Sequence, residues 1–353
     1  MKTVLSIQSH VVHGYVGGKA AIFPLQSQGW EVDNINTVHF SNHTGYGHFK
    51  GDVLETTELD QILNQLVDHL QIEYGALITG YIPNAELISC IASYITKLKQ
   101  RDHQQQLLYL LDPVMGDNDY MYVDKSCVLE YRRLVSLRVA DLVTPNQFEL
   151  QLLSDVEISN GESLKRALDE VHATVPYVVV TSVDSQIVDA HDDGFIYCIV
   201  SVQDGTATTT KPQQTMFRIA KIESYFTGVG DLFSALLLDK FVANGKEEVG
   251  GSPFDRLSRS VNQVLTIMAK TLKLTHEMGM KQAKSALISD RKHSQANGVQ
   301  ENGAGEHHDD DDDEDIVGKM NDARTMKYFE LKVIQARDYF SYDGPGEFEE
   351  IKF

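Results

Sequence analysis

Residues 224–238 read Ser-Tyr-Phe-Thr-Gly-Val-Gly-Asp-Leu-Phe-Ser-Ala-Leu-Leu-Leu. Two glycines flank a valine, an aspartate follows, and the remainder is almost wholly apolar. Gly228 and Gly230 free the backbone for a tight turn and for close approach by another group. The run after Asp231 predicts a buried helix that starts at the aspartate. The first N–H groups of a helix lack internal partners and carry the positive end of its dipole, so they can hold a phosphate-like anion. A carboxylate beside such an end can take a proton from a hydroxyl while the amides steady charge moving onto a phosphoryl group. Alone, the stretch leaves two readings open: a base beside an anion hole, or a cap on a buried helix.

Outward from this stretch, the first 240 residues alternate apolar runs with helical patterns. Strands are expected at 3–8, 31–38, 75–79, 107–111, 139–143 and 176–181, with amphipathic stretches such as 59–70 and 85–98 between them. That alternation predicts βαβ units and a mainly parallel sheet. Residues 195–202 read as a later strand at the sheet's edge. Leu257, Val261, Val264, Leu265, Met268 and Leu272 follow helical spacing. There is no internal repeat.

The 353 residues, 42% of them hydrophobic, suffice for one large domain with a substantial core. No run approaches the ~18 apolar residues of a membrane span. The N-terminus is too short and polar for a signal peptide and reads as the first strand. Cys90, Cys127 and Cys198 stand far apart, which suits reduced thiols in a cytosolic chain and gives little support to a thiol nucleophile. The net charge is −20, of which residues 309–315 supply −7. So acidic a chain, with no basic block, is a poor binder of nucleic acid or anionic membrane.

Residues 289–318 are rich in Ser, Gln, Asn, Gly and His and end in the acidic block. They read as a disordered insertion. His293, His307 and His308 belong to this solvated tract rather than to a metal site. Periodicity returns from Met320 to Phe340, with Met326, Phe329, Val333 and Ala336 on one face, and predicts a helix that packs back on the domain. The domain plan is therefore 1–288 for the main body, 289–319 for the insertion, 320–340 for the helix and 341–353 for a loose tail.

Each expected strand ends in polar residues. Ser9-His10, Gly80-Tyr81, Asp112-Pro113, Thr144-Pro145-Asn146 and Thr181-Ser182 follow five apolar runs, with Asp117 and Glu149 just beyond two of them. Open parallel sheets bind ligands outside the carboxyl ends of their strands. Asp112, Asp117 and Glu149 are oxygen ligands of the kind Mg²⁺ takes together with waters and substrate phosphates. Asp117 also suits a turn. Glu149 is spaced from Asn146 as an N3 residue from its N-cap, and both readings of it can hold. A second cluster, Phe40-Ser41-Asn42-His43-Thr44-Gly45-Tyr46-Gly47-His48, suits a small polar aromatic ligand. No Gly-x-x-x-x-Gly-Lys-Ser/Thr loop occurs, and the glycines at 14–18 lack dinucleotide spacing.

Together these pieces resemble the pyridoxal kinases, members of the ribokinase-like superfamily. The resemblance rests on residues 6–17 (Ser-Ile-Gln-Ser-His-Val-Val-His-Gly-Tyr-Val-Gly), 40–46 (Phe-Ser-Asn-His-Thr-Gly-Tyr), 79–81 (Thr-Gly-Tyr), 112–117 (Asp-Pro-Val-Met-Gly-Asp), 144–149 (Thr-Pro-Asn-Gln-Phe-Glu), 180–182 (Val-Thr-Ser) and 226–233 (Phe-Thr-Gly-Val-Gly-Asp-Leu-Phe). They keep the family's order over residues 1–275. It implies a three-layer α/β/α sandwich with a mostly parallel central sheet. It also implies ATP-dependent phosphorylation of the 5′-hydroxymethyl group of pyridoxal, pyridoxine or pyridoxamine.

By this resemblance Asp231 is the general base, and the amides of Gly228, Val229 and Gly230 form the anion hole. An unperturbed aspartate titrates near ~3.9 and is ionised at neutral pH. Ser9, Val16, Phe40, His43, Thr44 and Tyr81 hold the vitamin. Asp112, Asn146, Glu149, Thr181 and Ser182 line the ATP phosphates, and Ile222, Glu223 and Ser224 approach adenine and ribose. Residues 117–123 form a flap with Tyr122 facing ATP. Mg²⁺ lies among Asp112, Asp117 and Glu149, and a monovalent cation, K⁺, near Thr144 and Thr181.

A homodimer in the cytoplasm, with the nucleus also open, completes the expectation. Val229 stands where many relatives have threonine, which predicts weaker ATP contacts rather than inactivity. The insertion also departs from the family's compact pattern and reads as tolerated surface sequence. Two alternatives remain open from the sequence: a hydroxymethylpyrimidine kinase of the same superfamily, and a nucleotide-binding regulator without turnover.

Overall fold

Val4-Leu5, Leu77-Ile78, Leu110-Leu111 and Leu142-Val143 are pairs of apolar neighbours. On a strand, neighbours face opposite ways, so each pair needs an apolar layer on both faces of its sheet. The computed structural model supplies both layers. It describes residues 2–101, 107–188, 192–203, 211–245, 251–296 and 316–353. Leu5, Leu77, Leu111 and Val143 belong to one core cluster, and Val4, Ile78, Leu110 and Leu142 to the other.

The chain runs β1 (Thr3–Val11), α1 (Gly18–Ser27), β2 (Glu31–Phe40), β3 (Gly51–Val53), α2 (Thr56–Leu63), β4 (Ala76–Thr79) and α3 (Ala85–Arg101). It continues through β5 (Leu108–Leu111), a hairpin of β6 (Gly116–Asp117) and β7 (Tyr120–Met121), α4 (Lys125–Ser136), β8 (Leu142–Val143), α5 (Gln147–Ser154) and α6 (Gly161–His172). Then come β9 (Tyr177–Asp184), β10 (Phe195–Val202), β11 (Gln213–Ala220), α7 (Val229–Asn244), α8 (Pro253–Ala296), α9 (Ala323–Met326) and β12 (Glu350–Lys352).

The main sheet has the order β12-β11-β10-β9-β8-β5-β4-β1-β2-β3. The pairings from β2 through β1, β4, β5 and β8 to β9 are parallel, and β3 and β10–β12 add antiparallel flanks. Helices α2–α6 supply buried residues to the first core cluster, and α1, α7 and α8 to the second. The result is the expected three-layer α/β/α sandwich. Strand β1 is flanked by β2 on one side and β4 on the other, so the strand order reverses there. The crevice outside the carboxyl ends at such a switch point is where ligands bind in this class of sheet.

Helix α7 is buried along nearly its whole length because Leu232-Phe233 and Ala235–Leu238 leave no polar face. It packs against α1 and α8. Its acid Asp239 meets the indole N–H of Trp30 at 2.9 Å and Lys2 Nζ at 2.8 Å, with Lys240 Nζ 3.8 Å away. Lys240 also donates to the Phe340 carbonyl at 2.8 Å. This knot ties the first strand, α7 and the C-terminal segment together.

Four expectations need correction. Strand β10 is not at the sheet edge, because β11 and β12 lie beyond it. The expected tail is not loose, because β12 pairs with β11 through Thr215↔Lys352, Met216↔Ile351 and Phe217↔Glu350. Residues 320–340 do not form one helix. They hold the short α9 and a single tight turn at Arg337–Tyr339, although Met326, Phe329, Val333 and Ala336 are all buried as the periodicity implied. There Lys332 N–H donates to Thr275 Oγ1 of α8 at 3.1 Å, a tertiary bond in place of a helical one. Helix α8 runs to Ala296, so the first residues of the expected insertion are helical, and most of the remainder, 297–315, lies outside the described residues. Among the described residues no helix is long and apolar enough to cross a membrane.

Asp239→Ala is expected to destabilise the protein by about 3–5 kcal/mol, because it leaves the buried Lys240 without its counter-charge. Urea denaturation of the variant checks this, and a loss under about 1 kcal/mol would show that the knot is not holding these elements together.

Candidate active site

The site forms where the β1–α1 loop meets the start of α7. Gly17 caps α1 at φ 55°, and its N–H donates to Asp231 Oδ2 at 2.8 Å. A side chain at Gly17 would strike Ser9 Oγ and its carbonyl. Gly228 caps α7 at φ 76°, and a side chain there would strike the Tyr15 carbonyl. Both glycines therefore need left-handed backbone and close backbone approach together. Gly230 differs: a β-carbon there would meet only Asp112 Oδ2 within 4 Å, at 3.7 Å. The amide end of α7 thus opens onto a space bordered by Asp112.

Asp231 is the third residue of α7, so its carboxylate lies in the first turn of that helix and also accepts from the capping amide of α1. Burial raises its pKa above the usual carboxylate value, and the Gly17 N–H pulls it partly back. The expectation of an unperturbed aspartate is corrected accordingly: the group is shifted toward neutrality, which makes a better base.

Asp112, directly after β5, is only 5% exposed and accepts from Ser234 Oγ at 3.1 Å. Ser234 also bonds Thr144 Oγ1 at 2.9 Å. Burial, then the charges of Glu149 and Asp231, hold the Asp112 pKa well above the ordinary range. Glu149 is 4% exposed and pushed up to about 8 by burial. Its oxygens accept from Met115 N at 3.0 Å and Asn146 N at 2.9 Å, while Asn146 Oδ1 accepts from Glu149 N at 2.8 Å. The capping box is complete, and Asn146 Nδ2 also reaches the Gly116 carbonyl at 2.8 Å. Both side chains are thus engaged in holding the β8–α5 turn and the β6–β7 hairpin.

That hairpin carries Asp117 beside its turn, paired with Tyr120, and turns through Asn118 and Asp119, both with positive φ. Burial raises Asp117, and Asp184 adds to the shift. Tyr122, just beyond the hairpin, is raised by burial and by its neighbours Tyr225, Asp117 and Glu149. The ion pairs of the described residues include none of Asp112, Asp117, Glu149 and Asp231. Among the described residues no three such groups converge closely enough to hold a metal ion unaided.

On the other side of Asp231, Val11, Val16, Val38 and Phe40 form a small apolar cluster with Tyr81 against it. Ser9 is buried at the end of β1. His43 Nδ1 accepts from Gly45 N at 3.0 Å and opens the tight turn Thr44–Tyr46, with Thr44 exposed. Thr181 N bonds the Pro145 carbonyl at 2.9 Å, and Ser182 follows it on β9. Ile222 and Ser224 are half-buried, Glu223 is exposed, and Ser224 Oγ accepts from Gly318 N at 3.0 Å. Val229 packs its side chain toward the core layer of α7 and α8.

Several groups here were not singled out from the sequence: the Gly17 amide, Ser234, Gly318 and Glu330. Gln8 Oε1 is another, a buried acceptor without a partner that lines the same point near Gly80 as Asp231 Oδ1. Glu330 had a legible signal, a lone charge inside the apolar run Tyr328-Phe329-Glu330-Leu331.

A family model described as phosphomethylpyrimidine kinase matches residues 32–243. A putative pyridoxal kinase of Saccharomyces cerevisiae is 39% identical over 347 residues, which are 96% of this chain and 95% of that protein. The pyridoxal kinase of Ovis aries is 40% identical over 245 residues, 67% of this chain and 76% of that protein. The solved pyridoxal kinase of Leishmania donovani in complex with ADP and pyridoxamine matches at a TM-score of 0.75 and 28% identity, over 99% of this chain and 100% of that one.

The buried carboxylates give a stability prediction of definite sign. Their folded pKa values lie above the unfolded ones, so the stability they contribute is full at low pH and lost as pH rises through the folded value, about 8 for Glu149. The ligand-free protein should lose roughly 1.4–4 kcal/mol between pH 5 and 9, the worth of one to three pKa units. Asp112→Asn should flatten that slope. Urea midpoints across the range check it, and a stability that rises with pH would contradict it.

Proposed function

The chain belongs to the pyridoxal kinases of the ribokinase-like superfamily, and on that premise we propose that it transfers the γ-phosphoryl group of ATP to the 5′-hydroxymethyl of pyridoxal, pyridoxine or pyridoxamine. The observation that carries this reading is the Asp231 carboxylate held by the Gly17 amide beside the open amide end of α7. Asp231 accepts the hydroxyl proton. The freed oxygen attacks the γ-phosphorus, the bond to the β,γ-bridging oxygen breaks, and ADP leaves. The amides of Gly228, Val229 and Gly230 face the charge that develops on the transferred group.

The vitamin ring fits the side lined by Val16, Phe40 and Tyr81, with Ser9, His43 and Thr44 as polar neighbours. ATP fits the strand-end side, between the Asp112–Glu149 pair and the β6–β7 hairpin. Thr181, Ser182 and Tyr122 border it there, and Ile222, Glu223 and Ser224 lie toward the nucleoside.

The donor set at Asp112, Asp117 and Glu149 suits Mg²⁺. All three are oxygen donors, all are raised by burial, and among the described residues no cationic side chain forms an ion pair with them. Because they do not close a site themselves, phosphates and water would complete the shell. When bound, the metal would offset phosphate charge. For a monovalent cation near Thr144 and Thr181 the geometric support is thinner: Thr144 Oγ1 is engaged by Ser234, and Thr181 Oγ1 lies 3.5 Å from the Pro145 carbonyl. A cytoplasmic homodimer is carried over from the family likeness.

A hydroxymethylpyrimidine substrate is disfavoured by the aromatic loop 40–46 and by the pyridoxal kinase relatives. A coupled ADP-release assay over the three vitamers and hydroxymethylpyrimidine tests the reading. Turnover is expected with the vitamers, and turnover confined to the pyrimidine would overturn it. Asp231→Asn should keep the fold and ATP binding while kcat falls by roughly 10²–10⁴. Near-normal turnover in that variant would remove Asp231 from the chemistry.

A further inference from the structure

Glu330 is 6% exposed and lies between the buried Phe329 and Leu331. Its Oε2 accepts from Tyr15 N at 3.1 Å and from Thr227 Oγ1 at 3.3 Å. Its Oε1 accepts from Tyr46 Oη at 2.6 Å. Gly14, at φ 91°, presses against the same carboxylate so closely that a side chain there would overlap it. These donors come from three separate loops, and each loop ends in a group that the proposed reaction uses. Tyr15 lies two residues before the amide that holds Asp231, and its carbonyl is the surface against which Gly228 packs. Thr227 directly precedes the anion-hole turn. Tyr46 closes the loop that carries His43 and Thr44.

The segment that delivers Glu330 also crosses the site. Gly318 exchanges bonds with Ser224 and Tyr225, at 3.0 and 2.9 Å, and Asn321 N donates to the Gly45 carbonyl at 2.9 Å. Beyond Glu330, Lys332 is fixed to α8 through Thr275. The carboxylate therefore stands on a frame anchored at both ends. A carboxylate is the side chain that accepts from three donors at once, and donors in this number offset the cost of burying its charge.

We propose that Glu330 is a positioning residue that locks the Asp231-holding turn, the anion-hole turn and the vitamin loop into one fixed arrangement. It touches neither substrate. It acts through Tyr15, Thr227 and Tyr46. The carboxylates on the ATP side, Asp112 and Glu149, hang on β5 and on the β8–α5 turn and make no bond to it. Loss of Glu330 should therefore damage kcat and vitamin binding while sparing ATP.

The inference rests on the proposed kinase reading, so its test includes a readout that does not need turnover. In the full chain, Glu330→Ala should lower kcat by roughly 10²-fold, the cost of a misplacement of about 1 Å. It should raise KM for pyridoxal and leave KM for ATP within about twofold, no more than the smallest effect of one lost hydrogen bond. Glu330→Gln, which keeps the shape and one acceptor, should recover part of the loss. Tyr46→Phe, which removes a single donor, should raise KM for pyridoxal by roughly 2–13-fold.

Hydrogen exchange read on the same proteins should accelerate at amides 14–17 and 227–230 in Glu330→Ala and stay unchanged over 108–117. Unchanged exchange, or acceleration spread evenly over the domain, would overturn the proposal. So would unchanged kinetic constants in a folded Glu330→Gln and Tyr46→Phe pair. A wild-type chain that fails to phosphorylate any vitamer would count against the kinase reading, and the exchange pattern would still decide the part of Glu330.

Discussion

One hydrogen bond fixes the geometry on which the remainder of the site depends: Gly17 N–H to Asp231 Oδ2, at 2.8 Å, where the first turns of α1 and α7 converge. The capping amide of α1 donates to a carboxylate that stands in the first turn of α7, so the two helix N-termini meet at one group. For them to meet, Gly17 and Gly228 must take left-handed backbone, and the chain at Gly228 must touch the chain at Tyr15. Strand β1 must also end beside β4, which places the meeting point at the reversal in strand order. Sequence, topology and site chemistry are thus joined at a single contact.

Around that contact the protein gathers carboxyl groups that have no ion-pair partner among the described residues. Asp112, Glu149 and Asp231 are all raised by burial, and Asp112 is raised further by the other two. Backbone amides and hydroxyls are the partners present: Met115 and Asn146 for Glu149, Ser234 for Asp112, Gly17 for Asp231. Such a cluster costs stability in the ligand-free protein and is offset when cations arrive with a polyphosphate. An acidic chain can in this way hold ATP without a basic cleft. On the proposed reading, its positive potential would come from amide dipoles and from ions brought with the substrate.

The parallel core was legible because its strands are buried on both faces and carry adjacent apolar residues, as in Val4-Leu5, Ala76-Leu77-Ile78 and the run at 107–111. The flanks were not. Strand β11 alternates between exposed and buried residues, β3 is wholly exposed, and β12 is three residues long. The buried set of the C-terminal segment was legible from its spacing, but its conformation was not. Bonds from Glu330 and Lys332 to distant loops and to α8 replace the helical ladder there, and no local pattern records them. The strand-end residues of the site could be named because each sits next to an apolar run. The parts that hold them, the Gly17 amide, Ser234 and Glu330, act through contacts between residues far apart in sequence. The raised pKa of Asp231 likewise follows from burial, which exists only in the fold.

The central claim is that Asp231, set at the meeting of α1 and α7, is the base. The most direct measurement is the pH dependence of kcat/KM for pyridoxal at saturating ATP and Mg²⁺. A base must be deprotonated to act, so activity falls as pH drops through its pKa. Burial raises that pKa, so the acid limb should break clearly above the ~3.9 of a free aspartate, and in Asp231→Asn the limb should vanish with most of the rate. An acid limb at or below that value, or the same limb preserved in the variant, would contradict the account.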